Sequence, residues 1–263
     1  MSERRPPAVL LVPAVAAGLF VLLPFVGLLQ RVPWTALPEL LGRPIVTDAL
    51  RLSLLTALAA TALALVLGVP MAWVLARVDF PGRRVVRALV TLPMVLPPVV
   101  GGAALLFALG RRGLVGGPVY DATGFLLPFS PWGVVVANLF VSMPFLVVSV
   151  EAALRAADRR YEDAAATLGA SRWTVFRRVT LPMAAPSVVA GAVLCWARAL
   201  GEFGATVTFA GNLQGRTQTM PLAVYLALES DRDAALALSV VLVAVSLAVL
   251  VGFRDRWIPS PAA

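Results

Sequence analysis

Tyr161–Pro182 reads YEDAAATLGASRWTVFRRVTLP, a polar, alanine-bearing island between two long apolar runs. Asp163, Ala164 and Ala165 predict the start of a short helix with an acid near its positive end. Ala166 and Leu168 continue it. Gly169 then ends it, because glycine permits the left-handed turn that closes a helix. Ser171 can cap a second helix that carries Trp173, Val175 and Phe176 up to Pro182. Two helices at an angle result, and the first has a small-residue face that lets another surface come close. A helix lying on lipid would account for the arginines but would want bulky apolar residues in place of the alanines. The island therefore predicts a docking elbow.

The flanking sequence says what the elbow is attached to. The chain is 60% apolar and 14% charged, too little charge to cover a soluble domain of this length. A helix needs roughly 20 apolar residues, at about 1.5 Å of rise each, to cross the hydrocarbon. Six stretches meet that length: Val9–Leu29, Leu50–Ala76, Ala88–Leu109, Trp132–Ala152, Ala184–Ala210 and Ala234–Phe253. The expectation is an all-α, polytopic membrane protein, a single transmembrane domain over residues 1–263 with no soluble domain attached. The basic start, the apolar run and Ala14–Val15–Ala16 resemble a cleaved leader. The run continues to Leu29, however, which is long enough for a retained first span. Beyond Arg256 only a few residues follow, so no regulatory domain is expected there.

The net charge of +8 reads as membrane topology and not as a nucleic-acid surface. Arg4, Arg5, Arg77, Arg83, Arg84, Arg87, Arg155, Arg159, Arg160, Arg172, Arg177, Arg178, Arg254 and Arg256 fall in alternate segments. The other segments hold Arg31, Arg43, Arg111, Arg112, Arg216 and Arg232, with Arg51 at a boundary. The positive-inside rule then puts both termini and the elbow in the cytoplasm.

The chain contains no histidine and no lysine. A phosphate-gripping P-loop needs lysine, so ATP hydrolysis on this chain is not expected. Histidine catalysis and histidine metal sites are excluded as well. There is no Gly-x-Ser-x-Gly elbow and no cysteine pair. No catalytic residue and no metal site is assigned, and a transporter or channel subunit is the natural default. The single Cys195 lies within an apolar span and reads as a small buried hydrophobe. The absence of a clean internal repeat argues against an inverted-repeat secondary transporter.

Two further features lie inside the spans. TLPMVLPPVVGG, Thr91–Gly102, carries Pro93, Pro97 and Pro98, which should kink or break the third span. The break is either a packing kink or a bend beside a conduit. Arg198 and Glu202 lie in the fifth expected span, Arg198 near its middle, where an arginine costs roughly 2.5–3.5 kcal/mol to insert. Their spacing puts both on one helix face. They form either a structural ion pair or part of a path whose positive charge meets a passing anion. Arg216 follows in a Gly- and Thr-rich turn, either meeting the anion on the outer side or simply solvated.

The pattern Asp163-Ala164-Ala165-x3-Gly169-x9-Val179-x-Leu181-Pro182 resembles the EAA loop of ABC importer permeases, with Asp for Glu and Val for Ile. In that family the loop forms the coupling helix seated in a groove of the ATP-hydrolysing subunit. The resemblance implies the permease (MetI-like) fold, with a coupling loop about 158–182 built from Glu162, Asp163, Ala164, Ala165, Gly169, Ala170, Val179, Leu181 and Pro182. It also implies a separate ABC ATPase holding the ATP and Mg, an extracytoplasmic binding protein, a permease homodimer and residence in a bacterial or archaeal cytoplasmic membrane. ARALGEFGATVTFAGNLQGRTQTMPLAVYLALE, Ala197–Glu229, is similar to the signature of molybdate importer permeases. Sulfate and thiosulfate permeases share Gly201–Ala205. Phe209–Asn212 and Gly215–Thr219 favour molybdate, with tungstate indistinguishable. The rival of another class is an ATPase-independent channel or secondary transporter; a third is a membrane-anchored structural subunit.

Overall fold

The computed structural model describes residues 7–252, and every regular element among them is helical. In chain order these are α1 (Ala8–Arg31), α2 (Leu37–Leu41), α3 (Pro44–Arg77), α4 (Arg83–Val95), α5 (Pro98–Leu109), α6 (Gly116–Thr123) and α7 (Pro131–Ala156). There follow α8 (Arg160–Thr167), α9 (Arg172–Val175), α10 (Leu181–Leu200), α11 (Gly204–Phe209), α12 (Met220–Ser230) and α13 (Arg232–Gly252). A π turn over Phe176–Thr180 joins α9 to α10, so Arg172–Leu200 is one helix of 29 residues. Among the described residues five helices are long and apolar enough to cross a membrane: α1, α3, α7, the joined α9–α10 and α13. They match five of the six expected spans. Arg4, Arg5, Phe253, Arg254 and Arg256 lie outside the described residues.

The third expected span, Ala88–Leu109, is two helices. Pro97 drives Leu96 out of the helical region, and Pro98 does the same to Pro97; both are extended, at ψ 134° and 128°. Pro98 then opens α5, where its missing N–H is no loss. The fifth expected span, Ala184–Ala210, is also interrupted. Its helix, the joined α9–α10, begins earlier, at Arg172, and stops at Leu200, with Gly201–Phe203 separating it from α11. Arg198 therefore sits in the last turn of α10 and not at mid-span.

Helices in lipid gain little from apolar burial against one another, so close packing between small residues has to hold them. The buried face of α3 is of that kind: Ser53, Thr56, Ala57, Ala60, Thr61, Ala64, Gly68 and Ala72 lie along one helix stripe. The opposite side exposes Leu55, Leu58, Val66 and Leu67. α7 is the central helix, with α3 on one side and α10 on the other. A Cβ on Gly68 would lie 3.2 Å from Leu146 Cδ2, and one on Gly191 would lie 3.0 Å from Leu146 Cδ1. Leu146 of α7 thus fills a notch made by one glycine from each neighbour. Cys195 is fully buried beside it, its thiol donating to Ser142 Oγ at 3.2 Å. α3 has 34 residues and is about 50 Å long, so it reaches both ends of the bundle. At one end Arg43, just before it, pairs with Asp231 at 2.9 Å. At the other, Arg77 meets the elbow.

Candidate functional site

The elbow forms where its sequence places it, except that the second helix does not stop at Pro182 but runs on to Leu200. α8 carries Glu162 and Asp163 in its first turn and buries no side chain. Gly169 adopts φ +84°. The Gly169 N–H donates to Ala166 O at 2.9 Å and the Ala170 N–H to Ala165 O at 3.1 Å, the paired bonds of a Schellman ending. Ser171 caps α9, its Oγ accepting from the Thr174 N–H at 3.2 Å. The Leu181–Pro182 end of the motif has a local cause too. A proline ring clashes with the carbonyl four residues back, and the helix widens just before it. Leu181 N–H reaches Phe176 O, five residues back.

Asp163 and Ala164 are exposed, as is Pro182, while Ala165, Ala170, Val179 and Leu181 are half-buried. Leu168 is 88% exposed, Trp173 67% and Tyr161 63%. Large apolar side chains standing beside arginines at a helical turn form a surface in want of a partner. Beneath the elbow lies a cavity of about 440 Å³ lined by Arg77, Glu162, Asp163, Arg172, Phe176 and Thr180 among others. Trp73 and Trp173 both pack on Phe176, edge-on at 6.0 Å and stacked at 5.7 Å.

A second charged group adjoins the elbow, and sequence reasoning missed it. The last carbonyls of α3 have no partner within their own helix. Arginines fill the gap: Arg83 Nε donates to Leu75 O at 2.8 Å, Arg87 at 3.4 Å and Arg155 at 3.5 Å to the same oxygen, and Arg159 to Ala76 O at 3.4 Å. Glu151, 6% exposed, neutralises two of them, with Oε1 at 2.7 Å from Arg87 and 2.8 Å from Arg155. Arg83 also pairs with Asp79. Read only for topology, these arginines gave no hint of this role. The available signal was Glu151, a carboxylate at the end of an apolar span.

The breaks in the two interrupted spans meet. A Cβ on Gly204 would lie 2.8 Å from Pro98 Cβ, and one on Gly102 would lie 2.8 Å from Ala205 O. α5 and α11 thus touch backbone to backbone beside both discontinuities. Glu202 is 1% exposed and holds the second break open, its Oε1 accepting from the Ala205 N–H at 2.8 Å. Its Oε2 is 2.7 Å from Arg198 Nη1. That oxygen lies off the N–H direction and makes no aligned hydrogen bond, so the contact is an ion pair. The Arg198 side chain is 28% exposed. Arg216 is exposed on the turn at Leu213–Arg216, whose inner side is tied by Thr217 Oγ1 accepting from the Leu213 N–H at 3.0 Å. The structure brings Arg198 to Glu202 and Glu162 to Arg77 and Thr180. It keeps the two groups apart: Thr180 and Arg198 are separated along one continuous helix by roughly 27 Å.

Membrane-length helices, two interrupted spans packed at their breaks and an exposed elbow at one end define the membrane-embedded component of a transport system. The chain belongs to the family described as binding-protein-dependent transport system inner membrane component, matched over residues 64–259. It is 52% identical over 244 residues to the molybdenum transport system permease protein ModB of Mycobacterium tuberculosis, covering 93% of this chain and 92% of that one. It is 38% identical over 236 residues to the sulfate transport system permease protein CysT of Escherichia coli, covering 88% and 85%. The crystal structure of a bacterial ABC transporter importing the acidic polysaccharide alginate matches with a TM-score of 0.71 at 18% identity, covering 96% of this chain and 95% of that one. This last likeness speaks to the fold alone, and the fold is that of an ABC importer permease.

Proposed function

We propose that this chain, a single permease domain over residues 1–263, is the transmembrane subunit of an ABC importer carrying molybdate, or tungstate, across the cytoplasmic membrane. The observation that carries the substrate is the 52% identity over nearly the whole chain to a protein named for molybdenum transport, against 38% to one named for sulfate. Two copies pair, and each elbow docks in a separate ATPase subunit that holds the ATP and Mg. Leu168, Trp173 and Tyr161 supply the apolar contact, and Asp163 the charge at the positive end of α8. Both termini are cytoplasmic, on the same side as the elbow, where the arginines concentrate.

An extracytoplasmic binding protein delivers the oxyanion to the other end. ATP closes the two ATPase subunits and draws the elbows together. The spans rock, and the path opens outward; hydrolysis resets it. Arg198 stands at the break of an interrupted span, where helix ends leave polar backbone groups free to meet an ion. Glu202 offsets part of its charge, so the anion is attracted without being trapped. Arg216, on the outer turn, meets the anion as it leaves the binding protein.

Uptake of radiolabelled molybdate by the complex of permease, ATPase and binding protein, with and without excess sulfate, tests this reading. Uptake that survives sulfate supports it. Equal competition moves the substrate to sulfate. ATP-independent transport by the chain alone overturns the class.

A further inference from the structure

We infer that Glu162 is the strut through which force on the elbow reaches the bundle. It is a positioning residue whose partners are Arg77 and Thr180. The inference rests on the ATP-driven reading above and adds to it the residue that transmits the motion.

The argument begins with what does not hold α8. A helix that moves a bundle has to be fixed to it, and most attachments between helices are buried side chains. α8 has none, and neither has α9. The chain on either side of α8 adds one long contact, Arg159 to Ala76 O at 3.4 Å, and the left-handed turn at Gly169. Between α8 and the end of α3 lies the open cavity of about 440 Å³, so little packing backs the helix on that side.

One side chain crosses that gap. Glu162 Oε1 accepts from Arg77 Nη2 at 2.9 Å and from Thr180 Oγ1 at 3.0 Å. Arg77 is the last residue of α3 and its side chain is 7% exposed; that of Glu162 is 16% exposed, and Thr180 is 2% exposed. A charge-assisted contact this far from water is stronger than one on the surface. Breaking it strands a nearly buried guanidinium whose Nε already lacks a partner.

The two anchors also lie where motion has to go. Arg77 terminates α3, and Thr180 closes the π turn that leads into α10. α3 and α10 are the helices locked on either side of Leu146 by Gly68 and Gly191. A displacement of α8 borne by Glu162 is therefore delivered to both members of one close-packed block. Asp163 next to it is exposed at the rim of the same cavity and open to a partner. Adjacent acids thus divide the work: Asp163 outward to the motor, Glu162 inward to the bundle.

Two measurements test the strut, the first independent of substrate. Spin labels at Thr167 on α8 and Arg84 on α4, both exposed, report the elbow's position in the purified permease by pulsed electron resonance. A narrow distance distribution is expected for the otherwise unaltered protein and a broad one for Glu162→Ala; equal widths overturn the inference. In the second, the complex with its ATPase is placed in liposomes, and molybdate uptake and ATP hydrolysis are measured together. With Glu162→Ala, molybdate delivered per ATP hydrolysed is expected to fall roughly tenfold, within the range of losing a contact of this kind.

A role in folding alone would lower yield and leave that ratio unchanged, and this result also overturns the inference. If Glu162→Ala fails to assemble, Glu162→Arg with and without Arg77→Glu decides: uptake restored in the charge-reversed pair sustains the strut, and no restoration refutes it. Should the unaltered complex import nothing with ATP while the spin-label widths differ as expected, the transport reading fails and the strut remains.

Discussion

Gly101 and Gly102 are neighbours in α5, both buried, and alanine at each has a different consequence. At Gly102 a Cβ would come within 2.8 Å of Ala205 O, 2.9 Å of Ala205 Cα and 2.8 Å of Thr208 Cβ. Two of those atoms are backbone, so α11 itself has to move. At Gly101 the nearest atom is Phe140 Cε1 at 3.0 Å, the far end of a side chain that can swing away. Both substitutions gain about the same helix propensity, roughly 0.8–1 kcal/mol. The gain cancels in the comparison, and what remains is the overpacking cost at Gly102, about 1–3 kcal/mol. For a chain of this size that corresponds to a melting temperature roughly 3–10 °C lower for Gly102→Ala than for Gly101→Ala. Cys195, the sole cysteine and fully buried, provides the reporter, since a thiol-reactive dye labels it only as the bundle opens. Equal melting temperatures, or a larger loss at Gly101, would refute the backbone contact between the two broken spans. The same displacement of α11 shifts Glu202 and Arg198, so Gly102→Ala should also lower uptake.

Arg198→Ala should lower oxyanion uptake while leaving assembly and ATPase binding intact; normal uptake removes Arg198 from the path. Gly169→Val forces a β-branched residue into φ +84° with nothing within 4 Å of its Cβ, so its cost is conformational, about 1–2 kcal/mol. It should weaken co-purification with the ATPase without lowering the melting temperature of the transmembrane bundle. Glu151→Ala leaves Arg87 and Arg155 facing each other at the end of α3; both are partly solvated, so the loss is about 1–3 kcal/mol. A sharp fall in folded yield is expected, partly recovered by Arg87→Met in the same chain.

The elbow was legible because its determinants are local. Gly169 and Ser171 each act on the turn in which they sit, and helix ending and cap follow from residue type; the widened turn before Pro182 was not foreseen. The helix break after Leu96 was equally local, since two consecutive prolines leave the backbone little choice. The interruption at Gly201–Phe203 was not legible. Ala184–Ala210 is apolar enough to read as one helix, and what ends it is tertiary: Glu202 folding back to the Ala205 N–H, and Gly204 resting on Pro98. That is why Arg198 read as a mid-span charge. The tie of Glu162 to Arg77 joins residues 85 apart in sequence and has no local signature. Glu162 fell within the recognised loop, but its partner could not be read from the chain.

The arginines around the end of α3 serve at two moments in the life of the chain. During insertion their charge helps to keep that end in the cytoplasm, on the orientation proposed above, and lysine would do as well. Afterwards Arg83 and Arg87 each hold a helix carbonyl and a carboxylate at once, and a rigid fork of donors spans two such partners better than an ammonium group does. Replacing Arg83, Arg87 and Arg155 together by lysine should therefore yield a protein threaded the right way round but frayed where its longest helix stops. Biogenesis and maturation draw on different properties of one residue type, and a lysine-free sequence satisfies both.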